Sequence, residues 1–277
     1  MNGYEYWDKI PHTICEGARV LTKTFYFDTD NEFKDRLVRV YLPSSYDFNN
    51  PNKRFKTIYM LDGKNLFDDY TSFVGEWGID ESIEKIISEG KDGYIVIGID
   101  APKTDIDRTL EMTLDSLIFK RKIKIDRSGY ASKLGNFIFE VVKPDIDKTF
   151  FTKSEKEFTG IGGSSMGGIA AFYLGIEHLN EVGYCLNFSP AFFLYTWKSF
   201  KDYLDTNISR KLPKMFFYVG GNGFEKLFVE DTIKTFNYFL KHGYSHDEVK
   251  LLYVSHEEHN EKAWREYFPF ALSQIDK

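Results

Sequence analysis

From Phe55 onward the chain follows one pattern: apolar runs of four to eight residues alternate with longer stretches of helical period. The runs fall at 57–61, 94–99, 158–162, 184–188, 215–219 and 250–254. The helical stretches fall at 79–88, 131–147, 166–179, 195–204, 230–241 and 261–275. A strand apolar at every position is buried on both faces, and strands separated by helices join by right-handed crossovers into a parallel sheet. Ahead of this, 19–29 and 36–43 are rich in Val, Phe, Tyr and Thr and are parted by Asp30, Asn31 and Glu32, which predicts an antiparallel hairpin. The expectation is one α/β domain over 1–277: a three-layer sandwich with a mostly parallel central sheet and the N-terminal hairpin at one edge. No repeat, low-complexity tract or linker divides it.

Composition narrows what such a domain binds. Hydrophobic residues make up 42% and charged residues 28%, enough to build a core without a disulfide or metal. The 17% aromatic share reads mainly as core. A net charge of −6 with no basic stripe argues against nucleic acid as a partner, since such binders neutralise phosphates. The basic run 120–124 is short, interleaved with Ile, and reads as a solvated edge. Cys15 and Cys185 have neither metal-ligand nor C-x-x-C spacing, and Cys185 lies in an apolar run as a core residue. No stretch reaches 18 apolar residues and 1–11 has no signal-peptide core, so the expected location is the cytoplasm, with no membrane partner. Homo-oligomerisation stays open.

Parallel sheets bind ligands beyond the carboxyl ends of their strands, so chemistry is sought just after each run. After the run at 158–162 comes Gly163-Ser164-Ser165-Met166-Gly167, a G-x-S-x-G placed between a predicted strand and a predicted helix. A serine nucleophile needs that context: a sharp, strained turn that lifts its hydroxyl above the sheet, with small residues two before and two after. A Gly-rich turn without chemistry is the bland alternative. Ser164 misfits, because Met166 stands where the spacing needs Gly.

In a hydrolase of this kind the acid and then the histidine follow the serine along the chain. His178 and His242 close helices, and His246 lies in a polar turn. His256 and His259 follow the last strand, and His259, directly before the terminal helix, is the expected base. The acid is expected after the run at 215–219, where Glu225 is the first carboxylate. Glu230 and Asp231 stay open, although both fit the start of a helix. Met166 N–H is one expected oxyanion donor, and Lys64 N–H, in the loop Leu61-Asp62-Gly63-Lys64-Asn65, is the other.

Five stretches together resemble a known family: Y-M-L-D-G-K-N-L-F-D at 59–68, G-x-W at 75–77, R-x-x-E at 108–111, G-G-S-S-M-G-G at 162–168 and H-N-E-K-A-W at 259–264. The chain is similar to the Putative esterase family of α/β hydrolases, which includes enterochelin, feruloyl and acetylxylan esterases, S-formylglutathione hydrolase and mycolyltransferases. The resemblance runs from about residue 36 to the C-terminus. It implies the α/β-hydrolase fold, Ser165 and His259 as nucleophile and base, and the amides of Lys64 and Met166 as the oxyanion hole. It also implies Trp77, Arg108 and Glu111 on the substrate side. The loop from Gly220 to Glu225 is longer than the family's usual reach from strand to acid.

These readings converge on a cofactor-free serine esterase acting through an acyl-enzyme on a small or carbohydrate-type ester. Acyl transfer to an alcohol, or a binding protein that kept the fold without the chemistry, are the alternatives. Two further segments have expected roles: 101–130, too long for an ordinary connection, in shaping the acyl pocket, and 189–197, rich in aromatics, in lining it.

Overall fold

The computed structural model describes residues 7–9, 15–29, 32–114, 116–120 and 129–275. Among these, nine strands form one sheet: β1 (Asp8–Lys9), β2 (Arg19–Thr29), β3 (Glu32–Leu42), β4 (Lys56–Leu61), β5 (Tyr94–Ile99), β6 (Thr159–Ser164), β7 (Tyr184–Phe188), β8 (Lys214–Gly220) and β9 (Val249–Val254). The spatial order is β1-β2-β3-β5-β4-β6-β7-β8-β9. β1, β2 and β3 pair antiparallel, as do β3 and β5, and every pairing from β5 to β9 is parallel. The hairpin, the mostly parallel sheet and the three layers agree with the α/β-hydrolase expectation. Residues 30 and 31 of its turn lie outside the described residues.

The helices are α1 (Ile79–Ser88), α2 (Asp105–Glu111), α3 (Ala131–Asn136), α4 (Lys143–Thr149), α5 (Met166–Glu177), α6 (Trp197–Asn207), α7 (Lys226–Lys241) and α8 (Glu261–Ile275). A π-helical stretch, Phe137–Val142, joins α3 to α4. Side chains alternate across each strand. Tyr59 and Leu61 of β4, Ile95 and Ile97 of β5 and Phe217 of β8 therefore face one core, shared with α3 to α7. Ile58, Met60, Val96, Phe216 and Tyr218 face the other, shared with α1 and α8. Each buried large apolar side chain contributes roughly 1.5–3 kcal/mol, and α5, buried from Met166 to Ile176, is the centre of the first core.

Two helix starts shift, and one helix is added. α7 begins at Lys226 and α6 at Trp197 rather than at 230 and 195. Segment 101–130, read as a long connection without a clean strand, contains α2, which Thr104 caps by accepting the Asp107 N–H at 3.1 Å. Residues 115 and 121–128 of that segment, and with them most of the basic run, lie outside the described residues. Among the described residues no helix is long and apolar enough to cross a membrane.

Candidate active site

Ser165 follows β6 and caps α5 at φ 58° and ψ −119°. Such a backbone costs a non-glycine residue on the order of 1–3 kcal/mol and persists only where the surroundings impose it. They do so here. The Ser165 N–H donates to the Phe188 carbonyl at 2.9 Å, and its own carbonyl accepts from Ala191 N–H at 3.1 Å. A Cβ on Gly163 would lie 2.7 Å from the Gly167 carbonyl oxygen, so small residues flanking the serine are a steric condition of the turn. Met166 N–H opens α5 and has no partner within the helix.

Asp62, directly after β4, is also left-handed, at φ 58° and ψ 47°, and begins the 3-10 turn Gly63–Asn65. Lys64 N–H, inside that turn, meets no acceptor among the described residues. Ser189, directly after β7, has φ 44°. Asp62, Ser165 and Ser189 are the only non-glycine residues of positive φ among those described, and each stands at the carboxyl end of a central strand. The strain is concentrated on one edge of the sheet.

The loops after β8 and β9 are laced together. Gly221 and Asn222 N–H both donate to the Glu257 carbonyl, at 3.1 and 2.9 Å. A Cβ on Gly220 would come within 2.5 Å of that same oxygen. This close approach sets Glu225 Oε2 against His259 Nδ1. Glu225 is fully buried, and its other oxygen accepts from Ser189 Oγ and, at 3.0 Å, from Gly220 N–H. Trp264 Nε1 donates to Ser189 Oγ at 3.0 Å. The His259 ring stacks on Phe228 with centroids 4.3 Å apart and meets Phe224 and Trp264 edge-on. With Nδ1 facing a carboxylate, the ring is oriented to present Nε2 outward as a proton acceptor. Ser165 Oγ makes no cap hydrogen bond to α5.

Of the three candidate acids, Glu225 is the one that meets the imidazole. Asp231 pairs instead with Lys120 Nζ at 2.7 Å, and Glu230 lies a full turn into α7. The expected substrate-side residues divide. Arg108 and Glu111 do not pair with each other. Arg108 Nε and Nη2 donate to the two oxygens of Asp62, each at 2.7 Å, whereas Glu111 takes both prongs of Arg36. Glu111 is 1% exposed and Trp77, among Phe188, Trp264 and Phe268, is 2% exposed, so neither offers a surface to a ligand. Both had read as substrate residues because short motifs carry no burial information.

Residues to which sequence reasoning gave no such role include Ser189, which donates to the buried Glu225, and Asp62, which begins the turn bearing Lys64. The signal was present for both: each is the first polar residue after an apolar run. Burial also raises the Glu261 carboxyl above its ordinary range, with the charges of His259, Asp62 and Arg108 nearby. His178 and His242 stand at helix C-caps, as expected. Among the described residues one group of metal-capable side chains occurs, Cys15 with Asp80 and Glu81, on elements that carry none of Ser165, Glu225 or His259.

A family model described as Putative esterase matches residues 33–274. No curated protein matches the chain by sequence. Among solved structures, S-formylglutathione hydrolase from Staphylococcus aureus superposes with a TM-score of 0.65 at 15% identity, covering 96% of this chain and 100% of that one. Siderophore hydrolase EstA from Aspergillus nidulans gives 0.66 at 17%, covering 92% and 95%. The feruloyl esterase module from Clostridium thermocellum, complexed with sinapinate, gives 0.65 at 17%, covering 97% and 93%. At these identities the likeness is one of fold.

Proposed function

The chain belongs to the Putative esterase family and is an ester-hydrolysing enzyme, and on that premise we propose that it works through a serine acyl-enzyme with Ser165 as nucleophile. The observation that carries this reading is the buried Glu225 carboxylate on His259 Nδ1, taken together with a serine held on a strained strand-to-helix turn at the same end of the sheet. His259 takes the Ser165 proton as Oγ attacks the carbonyl carbon, and Glu225 stabilises the imidazolium that forms. The N–H groups of Met166 and Lys64 receive the oxyanion, each such donor being worth about 3 kcal/mol in comparable sites. The alcohol leaves with the proton from His259, and water, activated by the same imidazole, releases the acid.

The substrate is a small carboxylic ester, and no cofactor enters the scheme. A reducing compartment such as the cytoplasm suits the two unpaired cysteines, Cys15 and Cys185. The test is labelling of the protein by a fluorophosphonate together with turnover of p-nitrophenyl acetate. Both are expected for the wild type and lost in Ser165→Ala. Equal turnover by the variant would end the proposal.

A further inference from the structure

The region beside His259 holds a cavity of about 630 Å³, within the size range of small-molecule sites. Three segments distant in sequence enclose it. Phe193 and Leu194 come from the turn after β7, Phe224 from the turn just before α7, Leu227 from the start of α7, and Lys120 from the middle of the long segment after β5. These segments are tied to one another: Lys120 N–H donates to the Leu194 carbonyl at 2.8 Å, Thr196 N–H to the Ile118 carbonyl at 2.7 Å, and Lys120 Nζ to Asp231 at 2.7 Å. Phe224 and Leu227 are 60% and 52% exposed, which is unusual for large apolar side chains unless something covers them.

The Phe224 ring lines the cavity and also meets the His259 imidazole edge-on at a centroid distance of 5.6 Å. The cavity therefore opens one aromatic ring away from the base. Orientation follows from the chemistry. The group next to the histidine is the leaving alcohol, because the imidazolium hands that oxygen its proton, while the carbonyl oxygen points to the amides of Lys64 and Met166. The lining bears on polarity: Phe193, Leu194, Phe224 and Leu227 are apolar, and of the four charged lining residues Asp231 is engaged by Lys120 while Lys226 and Glu230 are exposed to solvent.

We propose that this cavity is the alcohol subsite and that the enzyme prefers esters of aliphatic or aryl alcohols over esters of sugars. The proposal rests on the serine-hydrolase reading and narrows it. It names the half of the substrate that the cavity takes and gives Leu227 a specificity-determining place.

The test compares acetates of ethyl, n-butyl, n-hexyl and benzyl alcohol and an acetylated methyl glucoside, with p-nitrophenyl acetate, butyrate and octanoate as the acyl series. All acetates share one acyl-enzyme, so differences in kcat/KM report acylation and the alcohol alone. A fully buried methylene yields about fourfold, so a chain partly covered by the cavity is expected to gain at least about tenfold from ethyl to n-hexyl. Leu227→Asp is expected to bring the hexyl-to-ethyl ratio close to one and Leu227→Met to preserve it; a ratio is independent of the fraction of folded protein. A flat alcohol series beside a steep acyl series, or preference for the sugar ester, overturns the subsite while leaving the hydrolase intact. Absence of both fluorophosphonate labelling and acetate turnover removes the hydrolase reading itself, and the subsite with it.

Discussion

Arg108 grips Asp62 with two parallel hydrogen bonds of 2.7 Å, Nε to one carboxylate oxygen and Nη2 to the other, across 46 residues of sequence. The pair ties α2 to the residue whose left-handed backbone starts the turn bearing Lys64 N–H. The same carboxylate lies against α5, the helix that follows Ser165, since a Cβ on Gly167 would be 3.1 Å from Asp62 Oδ2. One ion pair thus bridges the two halves of the proposed oxyanion hole.

Removing that bridge is expected to reduce kcat more than to raise KM, because a misplaced donor is felt where charge develops. Arg108→Ala should lower kcat by about 10- to 100-fold, with the loss of one well-placed donor as the upper bound. Arg108→Lys should recover little, because an ammonium cannot reproduce the planar fork. Steady-state kinetics on p-nitrophenyl acetate decide this, and full recovery by lysine would reduce the role of Arg108 to charge alone.

Replacing the Glu225 carboxylate by an amide keeps the shape and removes the charge on His259 Nδ1. Glu225→Gln should lose about 10⁴-fold in kcat, the scale seen when a triad acid is neutralised elsewhere. Asp231→Asn should cost far less, since that carboxylate meets Lys120 and not the imidazole. Comparable losses in both variants would show the acid to be misassigned.

The Arg36–Glu111 pair predicts an effect on stability. Its side chains are 3% and 2% exposed, and deleting one partner strands a buried charge. Glu111→Ala should destabilise the fold by about 3–5 kcal/mol, and replacing both residues with apolar ones of similar volume should recover much of that. Urea unfolding of the single and double variants tests the coupling.

Asp80 sets a pH dependence outside the site. Burial, followed by the neighbouring Glu81 carboxylate, pushes its carboxyl from 3.8 up to about 7. The folded state therefore holds this proton more tightly than the unfolded chain. The stability it contributes is complete below pH 3.8 and is lost as pH rises toward 7. Asp80→Asn should flatten that part of the stability curve in chemical unfolding between pH 5 and 8. An unchanged slope would mean that the group stays charged in the fold.

Patterns confined to neighbouring residues were readable in the sequence. The six parallel strands, the terminal helix and the serine turn are set by local apolar period and by glycine spacing, and their positions match the structure to within a residue or two. The α2 helix was hidden inside a segment with no apolar run, and only its Thr104 cap marks it. The partners of Arg108 and Glu111 were not readable. They sit three apart on one short helix and invite pairing, yet their side chains reach partners 46 and 75 residues away on different strands or turns. Glu225 stood among three candidates for the same reason: its selection depends on how closely Gly220 approaches the Glu257 carbonyl, a contact between loops that no sequence window contains.

The three left-handed residues on the carboxyl edge of the sheet have an evolutionary consequence. At Ser165, whose hydroxyl makes no cap hydrogen bond, a glycine would relieve backbone strain without loss of a contact, so a lineage selected only for robustness would drift toward glycine there, whereas the Arg108 pair and the bonds to Glu225 and Trp264 hold Asp62 and Ser189 in place. That step would make the protein harder to unfold while erasing the proposed nucleophile. Descendants that have given up turnover should carry that signature, and those that retain it should remain conformationally uncomfortable at that turn.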